Sequence, residues 1–147
     1  MLKFLILLLL SFNLYAQESI MIERGIYVTH LDSGDYNEDN NILAVELNVD
    51  NLYFNISAFD NSFYDHSVSF GSGYKFYSVS GFNFDLLYGV VTGYKDHLLT
   101  PCLGMLCAYI VPRISYDMNL TERVAISQSV KLFGTAVVFG VGLKYKF

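Results

Sequence analysis

Residues 137–147 alternate without a break. Val137, Phe139, Val141, Leu143, Tyr145 and Phe147 form one apolar row, while Val138, Gly140, Gly142, Lys144 and Lys146 form a small or charged one. A period of two with unlike faces marks a strand between unlike environments. The length suits a tilted strand crossing roughly 30 Å of hydrocarbon. A soluble edge strand carries charge or Pro on its exposed side to blunt pairing, whereas here the charges share the opposite row.

The same pattern recurs upstream. In residues 43–50, Leu43, Val45, Leu47 and Val49 alternate with Ala44, Glu46, Asn48 and Asp50, and after a tight turn Leu52, Phe54, Ile56 and Ala58 alternate with Tyr53, Asn55, Ser57 and Phe59. So short a turn makes the two antiparallel. Further strands are expected over 66–74, 82–90, up to 116, and 123–130. In the first, residues 20–30, the even row Ile20, Ile22, Arg24, Ile26, Val28 and His30 reads as outward, with Arg24 near the terminal end, where it can snorkel. Pro112 has no N–H for a ladder, so the sheet is expected to fray or bulge there. Residues 131–134, KLFG, read as the last loop.

Eight such strands predict an all-β fold, an eight-stranded antiparallel up-and-down transmembrane β-barrel, with three short turns at one end and four longer loops at the other. A closed barrel is the one way to place strands in lipid without open edges. Glu23, Glu46, Asp85, Arg113, Lys144 and Lys146 then point inward, and mixed signs in a narrow barrel imply a plugged interior rather than a pore. A soluble lipocalin-like barrel has a similar strand count but an inward apolar row. Periodicity alone does not choose between them.

Composition agrees with the membrane reading: twelve Tyr, twelve Phe, eleven Gly and no Trp, with no second long apolar run. At the start, Lys3, the apolar residues 4–10 and Ala16 lay out a secretory signal peptide over 1–16, leaving a barrel domain over 17–147; the apolar core is well short of the roughly twenty residues of a spanning helix. Without Lys3, eight basic side chains stand against fourteen acidic ones, a formal charge of −6. With no basic cluster, nucleic acid is not an expected partner.

Four places could hold chemistry. Cys102 and Cys107, exported to an oxidising compartment, are five apart, which puts them on opposite faces of a regular strand; a bond needs a loop or bulge between them, and the spacing leaves the question open. Two thiols with no nearby His imply neither a metal nor a cofactor. Asp32, Asp35, Glu38 and Asp39 could gather divalent cations, but their spacing matches no calcium loop and fits a solvated acidic loop. Finally, His30 ends the first strand at the loop end, and Asn61 and Ser62 lie where the third strand ends on the same side. A neutral His within reach of a Ser hydroxyl is the minimum for general-base activation.

These residues lie in segments with a family likeness. YVTH (27–30), YNEDNN (36–41), AFDNSFY (58–64) and GSGY (71–74) resemble the small PagP-like outer-membrane barrels, a group that includes lipid A palmitoyltransferases and shorter relatives from bacteria and phages. The resemblance implies His30 as general base and Ser62 as the hydroxyl acting with it. Asn61 stands where those enzymes carry Asp, so the orienting charge would have to come from Asp60 or Asp65. The enzymes' leading amphipathic helix has no room between Gln17 and Ile20. Two roles follow: a small barrel in the outer membrane of a Gram-negative cell that modifies the host surface or binds lipid or a partner through its loops, or an acyltransferase moving a fatty acyl chain from phospholipid to lipid A. The resemblance implies phospholipid, lipopolysaccharide and, during insertion, the barrel assembly machinery as partners of a monomer, the terminal Phe147 serving as the assembly signal.

Overall fold

The computed structural model describes residues 18–94 and 101–147; the expected leader lies outside the described residues. The strands are β1 (Glu18–His30), β2 (Leu43–Val49), β3 (Leu52–Asp60), β4 (His66–Val79), β5 (Phe82–Val91), β6 (Cys102–Leu103), β7 (Leu106–Asn119), β8 (Val124–Phe133) and β9 (Ala136–Lys146). Strands consecutive in the chain pair antiparallel except β5 and β6, β9 returns to β1, and β5 pairs directly with β7. Eight strands therefore close a barrel, and the two-residue β6 is a flap folded back on the start of β7.

Burial decides which row faces which way. Ser67, Ser69, Asn55, Asn83, Ser115 and Ser127 are buried, whereas Ile56, Phe70, Ile110 and Leu143 are 51–66% exposed. A polar inside and an apolar outside reverse the soluble arrangement and are favourable only with hydrocarbon around the wall. The lipocalin-like alternative, which needs the apolar row inside, is thereby excluded.

The interior has two layers. In the charged layer, Arg113 Nε donates to Asp85 Oδ2 at 2.8 Å, its Nη1 donates to Glu46, and its guanidinium lies 4.4 Å over the centre of the Tyr53 ring. Lys131 pairs with Glu23, which also accepts from Ser129 Oγ at 3.2 Å, and Lys144 Nζ donates to Asp117 at 2.6 Å. Glycine makes room for this packing: a Cβ on Gly140 would lie 2.4 Å from the Glu23 carboxylate and one on Gly73 1.9 Å from the Tyr53 ring. Toward the loop end, Leu87, Val91, Tyr94, Tyr109 and Val111 form an apolar layer, with Phe59 and Phe133 packed on it.

The structure corrects the sequence reading in five places. Gly25 pairs with Gly140 but Tyr27 pairs with Phe139, so Ile26 is an extra residue, a bulge that leaves Ile26 and Tyr27 both exposed and turns Val28 and His30 inward. Arg24 lies midway along β1, not near its terminal end. The strand β8 continues through Lys131 to Phe133, so the last connection is a two-residue turn, with Gly134 at φ 60, rather than a KLFG loop. Beyond residue 74, β4 runs on to Val79 past a register shift between Lys75 and Tyr77, and β7 continues through Asp117 to Asn119, so Asp117 faces the charged layer instead of a turn.

Pro112 acts on one side only. Its pairing with β5 is uninterrupted, Leu86 facing Pro112, but the β7–β8 ladder begins at Arg113 and Lys131. Above that point β7 has no β8 partner until the flap closes over it, where Ala108 N–H donates to Pro101 O at 3.0 Å and Cys102 is bonded to Cys107. The bond forms because the two cysteines face each other across the flap, not along one strand.

Candidate functional site

His30 reaches the barrel mouth because of the Ile26 bulge. Its Nε2 lies 2.8 Å from Ser62 Oγ, across 32 residues of chain. Ser62 is buried in the connection between β3 and β4, which is held from two sides. Asn61, itself buried, donates from Nδ2 to Ser67 Oγ and Gly93 O, while its Oδ1 accepts from the Phe63 and Asp65 amides at 2.8 and 3.0 Å. From the other side the Asn37 amide donates to Ser62 O at 2.9 Å, and Asn40 exchanges two bonds with Asp60. The 36–41 segment thus pins the turn that carries the hydroxyl.

The surroundings of the ring differ from the expectation of an orienting carboxylate. Tyr36 stacks on His30 at 4.1 Å between ring centres, and its hydroxyl donates to Asp32 at 2.9 Å. His30 Nδ1 is buried with no hydrogen-bond partner. Asp60 is engaged with His66 at the rim, Asp65 is exposed, and the Asn61 amide is taken up by its own loop, Ser67 and Gly93, so none of the three bonds to Nδ1. Hydrogen bonds from Thr135 and Tyr36 hold the Asp32 carboxyl below its ordinary value of 3.8. This clasp is therefore present above that value and is lost as pH falls through the lower folded value.

Tyr94 was not legible as a site residue. Burial pushes its phenol up, although hydrogen bonds with Ser62 oppose the shift, so it stays protonated at neutral pH with its hydroxyl beside Ser62. Its ring packs edge-on against Phe63 and beside Phe133. The one signal was Gly93 before it, at φ 83, whose carbonyl Asn61 holds. Below Ser62 a mainly apolar cavity of about 70 Å³ is lined by Phe59, Tyr94, Val111 and Phe133 among others, and its polar lining includes Asn55, Ser57, Ser69 and Lys131. The unpaired edge of β7 contributes Tyr109 and Val111, so the break in the wall and the cavity adjoin.

Asp35, Glu38 and Asp39 are exposed, and Asp32 is committed to Tyr36. Among the described residues no three His, Cys, Asp or Glu side chains converge as a metal site would require.

Together, the closed ladder, polar interior and apolar outer rows define an eight-stranded antiparallel transmembrane β-barrel. It is similar to a de novo designed transmembrane β-barrel, with 12% identity over 90% of this chain and 96% of that one at a TM-score of 0.52. The N-terminal β-barrel domain of OprF from Pseudomonas aeruginosa is also similar, with 13% identity over 90% and 99% of the two chains at a TM-score of 0.50. At such identities the likeness is one of fold, and no site residue transfers. No protein-family model and no curated protein matches the chain.

Proposed function

We propose that this is an outer-membrane acyltransferase of the PagP-like kind, moving a fatty acyl chain from a phospholipid to a lipid A hydroxyl, with Ser62 as the nucleophile and His30 as its base. The observation that carries this reading is the 2.8 Å contact between His30 Nε2 and Ser62 Oγ at the mouth of an apolar cavity. The OprF-like fold supports an outer-membrane address.

In the proposed reaction His30 Nε2 takes the Ser62 proton as Oγ bonds to the ester carbonyl carbon. The ester C–O bond breaks, and His30 returns the proton to the departing lysophospholipid oxygen. The acceptor hydroxyl then gives its proton to His30, attacks the acyl-serine and releases Ser62, which takes the proton back. Tyr94, protonated and beside Ser62, supplies a hydroxyl to donate to the carbonyl oxygen as it gains charge. The break between β7 and β8 offers the acyl chain a way in from the bilayer. At about 10–15 Å³ per water the cavity holds about five waters, so it takes the end of a chain rather than a long chain whole.

A second reading, lipid binding without chemistry, is favoured by the unpartnered His30 Nδ1, since nothing fixes the tautomer that a base requires. Mass spectrometry of lipid A from cells with and without the protein separates the two. Acyl transfer gives a species heavier by one acyl chain, lost with Ser62→Ala and reduced about 100-fold or more with His30→Gln. No added chain under verified expression removes the enzyme reading, and an added chain that survives Ser62→Ala removes Ser62 from it.

A further inference from the structure

Arg24 is out of place for its position. It faces outward midway along β1, between Ile22 and Ile26, which are 56% and 63% exposed. Among the described residues it is the one charged side chain on the outward rows away from strand ends, and it forms no ion pair with any of them. A cation there costs about 2–4 kcal/mol in a bilayer unless something neutralises or solvates it.

The wall is broken beside it. The β1–β2 ladder ends where Arg24 faces Leu43, and the Gly25 amide donates the last bond, to Ile42 O at 3.0 Å. Beyond this, β1 runs on to His30 without a β2 partner, and the chain before β2 lies across from it. Between them is a notch of about 260 Å³, bordered by Arg24, Tyr27, Glu38, Asp39, Asn40 and Asn41. It holds both signs of charge, and the buried Asn40 Oδ1 at its edge has no hydrogen-bond donor.

We propose that this notch binds the headgroup of a phospholipid carrying a phosphate and a primary ammonium. The phosphate pairs with Arg24; the ammonium donates to Asn40 Oδ1 and is held by Glu38 and Asp39. A purely anionic headgroup meets two carboxylates there, and a trimethylammonium has no N–H for the Asn40 oxygen, so both fit worse. The geometry places this site on the outer wall, separate from the His30–Ser62 pair, and it stands whether or not that pair is catalytic.

The test is native mass spectrometry of the purified barrel released from detergent with equal amounts of ethanolamine, choline and glycerol phospholipids of identical chains. Wild type should retain the ethanolamine lipid about tenfold over the other two, in keeping with charge-assisted hydrogen bonds. Arg24→Gln should reduce it to the choline level, and Glu38→Gln with Asp39→Asn should raise the glycerol lipid at its expense. A heat-dependent gel shift verifies that each variant is folded. Equal retention of the three lipids by wild type, or the wild-type preference in folded Arg24→Gln, overturns the proposal.

Discussion

Arg113→Ala is expected to destabilise the barrel by about 3–5 kcal/mol, the largest effect of any single substitution considered, because it leaves two buried carboxylates facing each other without their shared cation. Asp85 and Glu46 both bond to this guanidinium, and Tyr53 lies against its face. No water reaches the site to take over, since both acids are essentially unexposed. Urea unfolding of the protein in lipid vesicles, followed by loss of the heat-dependent gel shift, measures the cost. Arg113→Met combined with Glu46→Gln and Asp85→Asn should recover most of it, because neutralising a buried network together removes the unpaired charge that makes a single deletion so costly. Equal stability of wild type and Arg113→Ala would mean the interior is wet and the plug reading is wrong.

Ile56→Arg should cost about 2–4 kcal/mol in vesicles, the second largest effect. Ile56 is the middle residue of β3, pairs with Val45 and Phe70, and is 51% exposed in the isolated chain. In a bilayer that exposure is to acyl chains, so the new guanidinium must bend the lipid or drag water inward. Short-chain detergent should relieve part of the penalty. A penalty below about 0.5 kcal/mol, the usual range for substitutions on a water-facing surface, would place this row in water.

Regular strands were legible because each residue has only two directions to face. Both rows of β9 and of the β2–β3 hairpin are as the alternation implies, and five of the six charges assigned inward, Glu23, Glu46, Asp85, Arg113 and Lys144, are buried; Lys146 is at the terminal rim, bonded to Asn119. What alternation does not encode is an extra residue. Gly25 and Ile26 suit either register, and the bulge at Ile26 reverses every assignment above it, which is why His30 reads as lipid-facing from the pattern yet stands at the mouth. Lys131 was hidden because KLFG has the composition of a loop, and what keeps it in the wall is pairing with Arg113 of β7 and Val138 of β9 together with the Glu23 carboxylate, 108 residues away. Partner choice inside a barrel depends on shear and register, which a single sequence does not print.

The candidate site was legible for a different reason. An up-and-down topology forces the ends of β1 and β3 to the same rim, so His30 and Ser62 could be brought together on paper before any coordinates. Their contact is direct, but the third group was not foreseeable. Asn61 looks like a substituted catalytic acid in sequence and serves instead as the clamp of its own loop. Tyr94, from a distant loop, lies beside Ser62, and Tyr36 covers the imidazole.

The chain has no Trp, so one introduced at a time reports without background. Ile56→Trp, Ile114→Trp and Val141→Trp, all on outward rows, should show blue-shifted emission quenched by phospholipids brominated on their acyl chains and untouched by aqueous iodide, while Ser33→Trp in the first loop should do the reverse. Iodide quenching of all three wall positions, with no effect of the brominated lipids, would contradict a barrel whose apolar rows face hydrocarbon.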